Sequence, residues 1–302
     1  MRDDGAVLGS ARGPTSHAQI IGVSASADVI DELAVEVGAP ADLAVLLLAG
    51  LDFPDEEEAY QEEAARRGWA TEVVVGNDTF AVLRAGTDRG WGVAVTCGHG
   101  INCVGIAPDG RHLRFPSLGE ISGDWGGGGD IGLAALWAAA RSEDGRGPHT
   151  SLERLVPAHF GAGTPAELAR EVHLGRIPQR RLEELVPVVL AAAGDDEAAR
   201  EIVDRQAAEV VRMAGAALRR LGLLAQPADV VLGGGVLQSG DRRLLASIEA
   251  GLRELGPQLS VRVAPSRPIV GAALFGLDRL GAGDEARARV RAELGAGFVP
   301  AA

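Results

Sequence analysis

The sequence contains no lysine, so all 29 of its basic residues are arginines. Several kinds of phosphate and carbonyl chemistry depend on a lysine side chain. A P-loop uses a lysine to reach the β- and γ-phosphates, and a protein kinase carries one on its third strand. A Schiff base with pyridoxal phosphate or with a sugar aldehyde requires a lysine amine. The absence of lysine excludes all of these sites.

Cysteines and long apolar runs are also scarce. The two cysteines, Cys97 and Cys103, are too few for a disulfide scaffold, and we expect both to be small, buried strand residues. No apolar run reaches the ~18 residues that span a membrane, and residues 1–5 lack the apolar segment of a signal peptide. The six histidines show no metal-ligand spacing, so we expect no metal site. These features predict a cytoplasmic protein.

The charge balance is acidic, with 42 acidic against 29 basic residues and a net charge of −13 at pH 7. An acidic chain gains no attraction to a phosphate backbone, so we expect neither a nucleic-acid partner nor a membrane partner. The 302 residues, 46% of them hydrophobic, are enough for one large domain or for two.

Short apolar runs alternate with amphipathic segments in the first and the last part of the chain. Candidate strands lie at 42–50, 71–75, 92–97, 101–107, 229–232 and 260–264. The middle of the chain carries Ala, Leu and Arg at helical spacing. The stretch after Gly281 is rich in Ala and Arg, and we expect it to be frayed. This order predicts an α/β protein built of two lobes.

A glycine-rich segment at 127–132 matches the pattern GxGxxG. In a dinucleotide-binding domain this pattern follows a strand directly, and an acidic residue ends the next strand about 20 residues later. Here the segment follows a loop and lacks that acidic residue. We therefore favour a glycine-rich loop that enters a helix over a Rossmann site.

Two other glycine groups each allow two interpretations. Gly98-His99-Gly100 lies at a turn between paired strands, where it is either a plain hairpin turn or a backbone that approaches phosphate. Gly233-Gly234-Gly235 follows a predicted buried strand and offers the same choice. Three consecutive glycines cost conformational entropy, so we favour close approach of a ligand at the second group.

Two aspartates are candidates for the base that takes a proton from a hydroxyl. Asp78 follows a predicted buried strand, and the carboxyl ends of such strands point into the clefts where ligands bind. Asp124 lies between Gly123 and Trp125 in a glycine-rich loop. Each could instead cap a helix, since aspartate is a favoured N-cap residue. The residues alone leave both interpretations open.

Five stretches together resemble the BadF/BadG/BcrA/BcrD ATPase family, and within it the N-acetylglucosamine kinase-like proteins. They are VVVGNDTFAVL at 73–83, TCGHGINCVGIAPDGR at 96–111, GEISGDWGGGGDIG at 119–132, VVLGGGVLQS at 230–239 and GAALFGL at 271–277. The resemblance covers most of the chain. It implies the two-lobed, ribonuclease H-like α/β fold of the actin/hexokinase/Hsp70 superfamily.

The resemblance also implies roles for particular residues. In the similar kinases an aspartate at the place of Asp78 is the catalytic base, and the second phosphate loop corresponds to 98–100. Family members commonly have Thr or Ser at the place of His99, whose ring N–H can substitute for their hydroxyl. The glycines at 233–235 match the adenosine motif. The positions that contact the sugar match Ser16, His17, Asn102 and Asp124.

The family opens with a strand that carries Asp-Gly-Gly-Gly-Thr, its first phosphate loop. The sequence begins instead at a turn, Asp3-Asp4-Gly5, so we expect a first lobe that lacks this strand. Either the true protein begins further upstream, or the first lobe is truncated at its N-terminus and the protein is an inactive relative. That loop helps to place the phosphates and Mg²⁺, so its loss should cost orders of magnitude in rate. We expect residues 1–89 and 276–302 to form the first lobe and 90–275 the second.

The favoured function is an ATP-dependent sugar kinase that phosphorylates an N-acetylated amino sugar, with N-acetylglucosamine, ATP and Mg²⁺ as its small-molecule partners. One alternative is a non-catalytic sugar-binding or regulatory relative. A second is an activator ATPase of a reductive dehydratase-type enzyme, whose relatives use cysteines to hold an iron–sulfur cluster between two subunits. The sugar, the hydroxyl and the oligomeric state stay open, with a homodimer as one option.

Overall fold

The computed structural model of the protein describes residues 1–264 and 267–295. The α-helices in these ranges are α1 (Ala18–Ile21), α2 (Val23–Glu36), α3 (Pro54–Arg67), α4 (Thr79–Gly86), α5 (Gly128–Glu143), α6 (Leu152–His159), α7 (Pro165–His173), α8 (Val186–Ala192), α9 (Glu197–Leu221), α10 (Arg242–Leu255), α11 (Pro268–Arg279) and α12 (Asp284–Gly295). The strands are β1 (Ala41–Leu48), β2 (Ala70–Asn77), β3 (Gly92–Cys97), β4 (Ile101–Ile106), β5 (His112–Arg114), β6 (Ala228–Gly233) and β7 (Leu259–Val263). Short 3₁₀ helices cover Gly119–Ser122, Gln179–Leu185 and Leu237–Ser239.

The chain folds into two compact units. The first unit comprises Met1–Ala94, Val104–Pro116 and Ala264–Ala302, and the second comprises Val95–Cys103 and Ser117–Val263. The lobe boundaries at 89/90 and 275/276 remain a prediction. Within the described ranges, no helix combines the length and the apolar character needed to cross a membrane.

Strands β1 and β2 form a parallel pair in the first unit, at the two places where apolar runs predict buried strands. The register sets Leu48 opposite Asn77, so both strands end at the same edge. A core cluster that includes Leu51, Tyr60 and Trp69 packs against the apolar side chains of the pair. Burial of these large side chains holds α3 and the segment after β1 in place.

Helices α11 and α12 share a second core cluster in the first unit. Val270 and Leu274 of α11 lie in it together with Val290 and Leu294 of α12. The expectation of a frayed stretch after Gly281 is therefore wrong for the described part, because α12 buries an apolar stripe at helical spacing. Residues 296–302, the end of that stretch, lie outside the described residues.

Helices α4 and α11 approach each other so closely that no Cβ fits between them. A Cβ placed on Gly271 would lie 1.8 Å from the carbonyl oxygen of Ala81. Arg84 of α4 is buried, and it donates to the carboxylate of Asp278 from Nε at 2.5 Å and from Nη2 at 3.1 Å. This forked ion pair joins the same two helices beside their glycine contact.

Five strands are hydrogen-bonded in the order β5-β4-β3-β6-β7, and β3 and β4 each contribute residues to both units. Strand β4 pairs with β5 antiparallel, and β6 pairs with β7 parallel. Every residue of β6 is buried, as its apolar sequence predicts. The carboxyl end of β6 leads directly into the glycines at 233–235.

Helix α9, with 25 residues, runs through the second unit and is capped at both ends. The carboxylate of Asp196 accepts hydrogen bonds from the backbone N–H groups of Ala199 at 3.0 Å and of Ser151 at 2.6 Å. Gly222 ends the helix in the left-handed conformation. One face of α9 carries Gln206, which contacts the glycine-rich segments described below.

We expect Gly271→Ala to destabilise the protein and Gly276→Ala, on the same helix, to leave it as stable or slightly more stable. Both changes gain about 1 kcal/mol of helix propensity. At 276 the new Cβ would make an ordinary contact at 3.5 Å with Val45 Cγ2. At 271 it would force α4 and α11 apart, an overpacking cost of about 3 kcal/mol. Chemical denaturation measures both variants, and equal stabilities would contradict the close approach.

Candidate functional site

The parallel register of β1 and β2 brings two carboxylates to one edge of the pair. Asp52 follows β1, and Asp78 follows β2 directly. The backbone N–H of Asp78 donates to the carbonyl of Leu48 at 3.1 Å, which extends the pairing by one residue. The carboxyl ends of parallel strands are the usual position of ligand-binding groups. This edge is the candidate sugar site of the first unit.

The side chain of Asp78 makes no capping hydrogen bond to α4. The capping acceptor is instead Asn77, whose Oδ1 accepts from the backbone N–H of Thr79 at 2.9 Å. Burial raises the pKa of the Asp78 carboxyl, against the opposing effects of Thr79 and of His17. The Asp78 carboxylate contacts α4 through Thr79, whose Oγ1 donates to Oδ1 at 3.4 Å.

Asp52 is a buried carboxylate of this site that the sequence pattern does not single out. It accepts from Asn77 Nδ2 at 3.0 Å and from Gln19 Nε2 at 3.1 Å. Burial raises its pKa to about 6; the charges of Glu56 and Asp78 add to the shift, whereas Gln19 and His17 oppose it. The signal that could have found it is its place after an apolar strand, the same argument that applies to Asp78.

His17 packs on a glycine beside the two aspartates. A Cβ on Gly50 would lie 2.4 Å from the imidazole Nδ1, so only glycine leaves room for the ring. The Nδ1 atom is buried and has no hydrogen-bond partner among the described residues. An imidazole nitrogen that is buried and unpaired costs free energy unless a ligand or a water completes it. His17 is therefore the group in this cluster that most needs a ligand.

Ser16 contributes its backbone to this region. Its carbonyl oxygen accepts from Ser26 Oγ at 2.5 Å, and Ser26 in turn shares a hydrogen bond of 2.9 Å with Tyr60. These buried contacts fix the segment that carries His17 onto α2 and α3. The role of the Ser16 side chain toward a sugar stays a prediction.

The second unit builds a separate site around the turn between β3 and β4. The backbone N–H of Gly98 donates to the carbonyl of Gly100 at 3.0 Å, which closes the turn. The carbonyls of Gly98 and His99 accept from the first N–H groups of α5, those of Gly128 at 2.7 Å and Gly129 at 2.8 Å. The turn is thereby fixed onto the N-terminus of α5, whose unpaired amides it satisfies.

The GxGxxG match at 127–132 has a packing explanation. A Cβ on Gly132 would lie 2.0 Å from the carbonyl oxygen of Leu182, and one on Gly128 would lie 2.9 Å from Glu183 Cβ. These glycines let α5 pack directly on the 3₁₀ helix Gln179–Leu185. The described residues that precede the match form the 3₁₀ helix Gly119–Ser122 and a loop, as expected for a loop that enters a helix.

Gly234 and Gly235 differ in what surrounds them. Gly234 has a φ of +84°, and a Cβ there would lie 2.3 Å from the carbonyl oxygen of Cys97. The same carbonyl accepts from the backbone N–H of Val236 at 3.0 Å. Gly235 has open space at its Cβ position and lines a pocket. Close packing on β3 thus explains Gly234, whereas contact of Gly235 with a nucleotide stays a prediction.

That pocket has a volume of about 810 Å³, within the range of small-molecule sites. Its residues are Gly98, His99, Gly128, Glu183, Val186, Pro187, Leu190, Ala191, Gly235, Val236, Ser239, Gly240 and Asp241. The lining combines apolar residues of α8 with backbone and short side chains between 235 and 241. This combination suits a ligand that has both an apolar and a polar part.

Asn102 and Asp124 are not among the described residues that line this pocket. The Oδ1 atom of Asn102 accepts from Ser117 Oγ at 2.7 Å, and Asp124 Oδ2 accepts from Ser122 Oγ at 2.5 Å. Both belong to the second unit, on strand β4 and in the loop before α5. Their contact with a sugar stays a prediction.

Comparison with known proteins gives relatives with named activities. One is an N-acetylmuramic acid/N-acetylglucosamine kinase of Clostridium acetobutylicum, 35% identical over 35% of this chain and 34% of that protein. Another is an N-acetyl-D-glucosamine kinase of Dictyostelium discoideum, 31% identical over 30% of this chain and 31% of that protein. The alignments span about a third of the length of these two relatives.

Solved structures of low sequence identity share the fold. A candidate N-acetylglucosamine kinase of Chromobacterium violaceum is 24% identical with a TM-score of 0.62, covering 86% of this chain and 87% of that one. A second, of Porphyromonas gingivalis, is 15% identical with a TM-score of 0.61, covering 93% and 94%. The predicted α/β, actin-like class of fold is confirmed. The model of the BadF/BadG/BcrA/BcrD ATPase family matches residues 1–276, and the chain belongs to that family.

Proposed function

We propose that the protein is an ATP-dependent sugar kinase that phosphorylates an N-acetylated amino sugar, with N-acetylglucosamine as the first substrate to test. The observation that carries the proposal is the Asp78 carboxylate, which lies at the end of β2, makes no capping bond and has His17 as a neighbour. The two named relatives support it, because each name includes an N-acetylglucosamine kinase activity.

Asp78 acts in this proposal as the general base. As the sugar hydroxyl attacks the γ-phosphorus of ATP, its proton passes to the carboxylate, the bond to the bridging oxygen breaks, and ADP leaves. Burial raises the pKa of Asp78, which makes the ionised carboxylate a better proton acceptor. His17 opposes the shift and so favours the ionised form of the carboxyl.

We assign the nucleotide to the pocket of the second unit. The apolar face of α8 offers a surface for the base, and the Gly98-His99-Gly100 turn offers a place for the phosphates. No group of three or more His, Cys, Asp or Glu side chains in 1–264 and 267–295 is arranged to hold a metal ion. In the proposal, Mg²⁺ arrives bound to the phosphates of ATP, as is usual in phosphoryl transfer.

The alternative of an activator ATPase is disfavoured by the cysteines. Cys97 and Cys103 are fully buried thiols that form no disulfide, as expected from the sequence. Burial raises the pKa of both thiols, and Gln206 Nε2 contacts the sulfur of Cys97 at 3.3 Å. An iron–sulfur cluster shared by two subunits needs accessible thiolates. The non-catalytic alternative predicts sugar binding without turnover, which the following experiment detects.

Asp78→Asn should abolish phosphorylation of N-acetylglucosamine and leave its binding nearly unchanged, because the amide keeps the shape of the side chain and cannot take the proton. A loss of roughly 10²- to 10⁴-fold in kcat is expected. ADP release measures turnover, and titration calorimetry measures sugar binding. Asp42→Asn, on the exposed start of β1, is the matched control. Full turnover by Asp78→Asn would reject Asp78 as the base, and sugar binding without turnover in the unmodified protein would favour the non-catalytic alternative.

The rate should fall toward acid pH, with a midpoint above the ordinary aspartate pKa, because burial raises the pKa of Asp78 and only the ionised form accepts a proton. Measurement of kcat/KM against pH locates this midpoint. A midpoint at or below the ordinary aspartate pKa would contradict the raised pKa of Asp78.

A further inference from the structure

His99 and Glu183 form a contact within the second unit that the proposed chemistry leaves unused. His99 belongs to the turn between β3 and β4, and Glu183 belongs to the 3₁₀ helix Gln179–Leu185. The imidazole Nδ1 lies 2.8 Å from Glu183 Oε2, and both side chains line the 810 Å³ pocket. The inference drawn from this contact rests on the proposed function, in that the pocket takes a nucleotide.

Glycines build the position of this pair. A Cβ on Gly129 would lie 3.0 Å from the imidazole Cε1 and 3.2 Å from Nε2, so the ring lies directly on the first turn of α5. Gly128 gives the same freedom to Glu183, whose Cβ lies 2.9 Å from where a Cβ on residue 128 would be. The Gly128–Gly129 dipeptide therefore admits both partners to the same side of the pocket.

The pair contributes little to the stability of the fold. The His99 side chain is 63% exposed and that of Glu183 is 47% exposed. Ion pairs this open to solvent are screened, and many have no measurable effect on unfolding. A contact that glycines make possible and that stability does not require points to a role toward a ligand.

The charges that line the pocket indicate how the pair could act on a phosphate-bearing ligand. Glu183 and Asp241 are its acidic residues, and none of the described lining residues is an arginine. Asp241 is occupied as the cap of α10, since its Oδ1 accepts from the backbone N–H of Leu244 at 2.8 Å. Glu183 would therefore repel the phosphates of a nucleotide unless His99 covers it.

We propose that His99 and Glu183 act as a pair that sets the phosphate affinity of the pocket. Glu183 is the positioning residue, because its carboxylate accepts the Nδ1–H bond and holds the ring at the phosphate loop. His99 is hydrogen-bonded to the Glu183 carboxylate and so reduces its repulsion of phosphates. When the ring carries both protons, Nε2–H is a donor to a phosphate oxygen. The imidazole thus takes the place of the hydroxyl that similar kinases have at this position.

The test is a set of binding measurements on the full chain with adenosine, ADP and the non-hydrolysable ATP analogue AMPPNP, the last two with Mg²⁺. His99→Ala should weaken the binding of ADP by roughly fivefold and that of AMPPNP by more, and it should leave the binding of adenosine unchanged. The reason is that the repulsion between Glu183 and the ligand grows with the number of phosphates. The double variant His99→Ala/Glu183→Gln should regain most of the loss. Calorimetry measures ADP and AMPPNP, and ligand-observed NMR measures adenosine.

Glu184→Gln in the His99→Ala background is the matched control. Glu184 is the next residue along the chain and carries the same charge, but it pairs with Arg181 and His159 and does not line the pocket. The inference is overturned if Glu183→Gln fails to restore affinity, if Glu184→Gln restores it equally, or if adenosine weakens as much as AMPPNP. If the unmodified protein binds none of the three ligands, the assignment of the nucleotide to this pocket is wrong, and the inference is overturned with it.

Discussion

At several places in the described part of this chain, two backbone segments approach so closely that no Cβ fits between them. Among them are Gly271 on Ala81, Gly132 on Leu182 and Gly234 on Cys97, where a Cβ would lie 1.8, 2.0 and 2.3 Å from a carbonyl oxygen. Each contact joins elements distant in sequence, so each fixes the position of a segment used elsewhere: α4 behind Asp78, the 3₁₀ helix that carries Glu183, and the turn that carries His99. Glycine here replaces side-chain interdigitation with direct backbone packing.

A consequence of a lysine-free chain appears at both candidate sites. Each combines carboxylates with one histidine: Asp52 and Asp78 with His17 in the first unit, and Glu183 with His99 in the second. An imidazole is smaller than a guanidinium and can be neutral or charged near neutral pH, so it can adjust to a ligand that brings its own charge. Both rings pack on a glycine, at Gly50 and at Gly129.

The sequence predicts the positions of helices and strands better than it predicts which side chains meet across the fold. Short apolar runs located β1, β2 and β6, because such a run is readable within the few residues of one strand. The sequence pattern does not single out Asp52, because its partners Asn77 and Gln19 are 25 and 33 residues away. The pairing of β1 with β2 brings Asn77 to the end of β1, and this pairing cannot be inferred from the local sequence. Glu183 was invisible for the same reason, since it meets His99 across 84 residues through glycines that match an unrelated motif. The helix after Gly281 was missed because its arginines, which pair with acidic residues on the surface, obscure a narrow apolar stripe.

In the proposed mechanism, burial and a histidine neighbour act on the pKa of the base Asp78 in opposite directions. Burial raises the pKa, which makes the ionised carboxylate a better proton acceptor. His17 opposes this shift at Asp78 and at Asp52, and it keeps a buried, unpaired nitrogen that a bound sugar could complete. If a sugar hydroxyl donates to that nitrogen, substrate binding itself changes how strongly His17 acts on both carboxylates. The proton affinity of the base is then set in the complex with the sugar and not in the free protein, so hydroxyl recognition and base strength are coupled through a single imidazole.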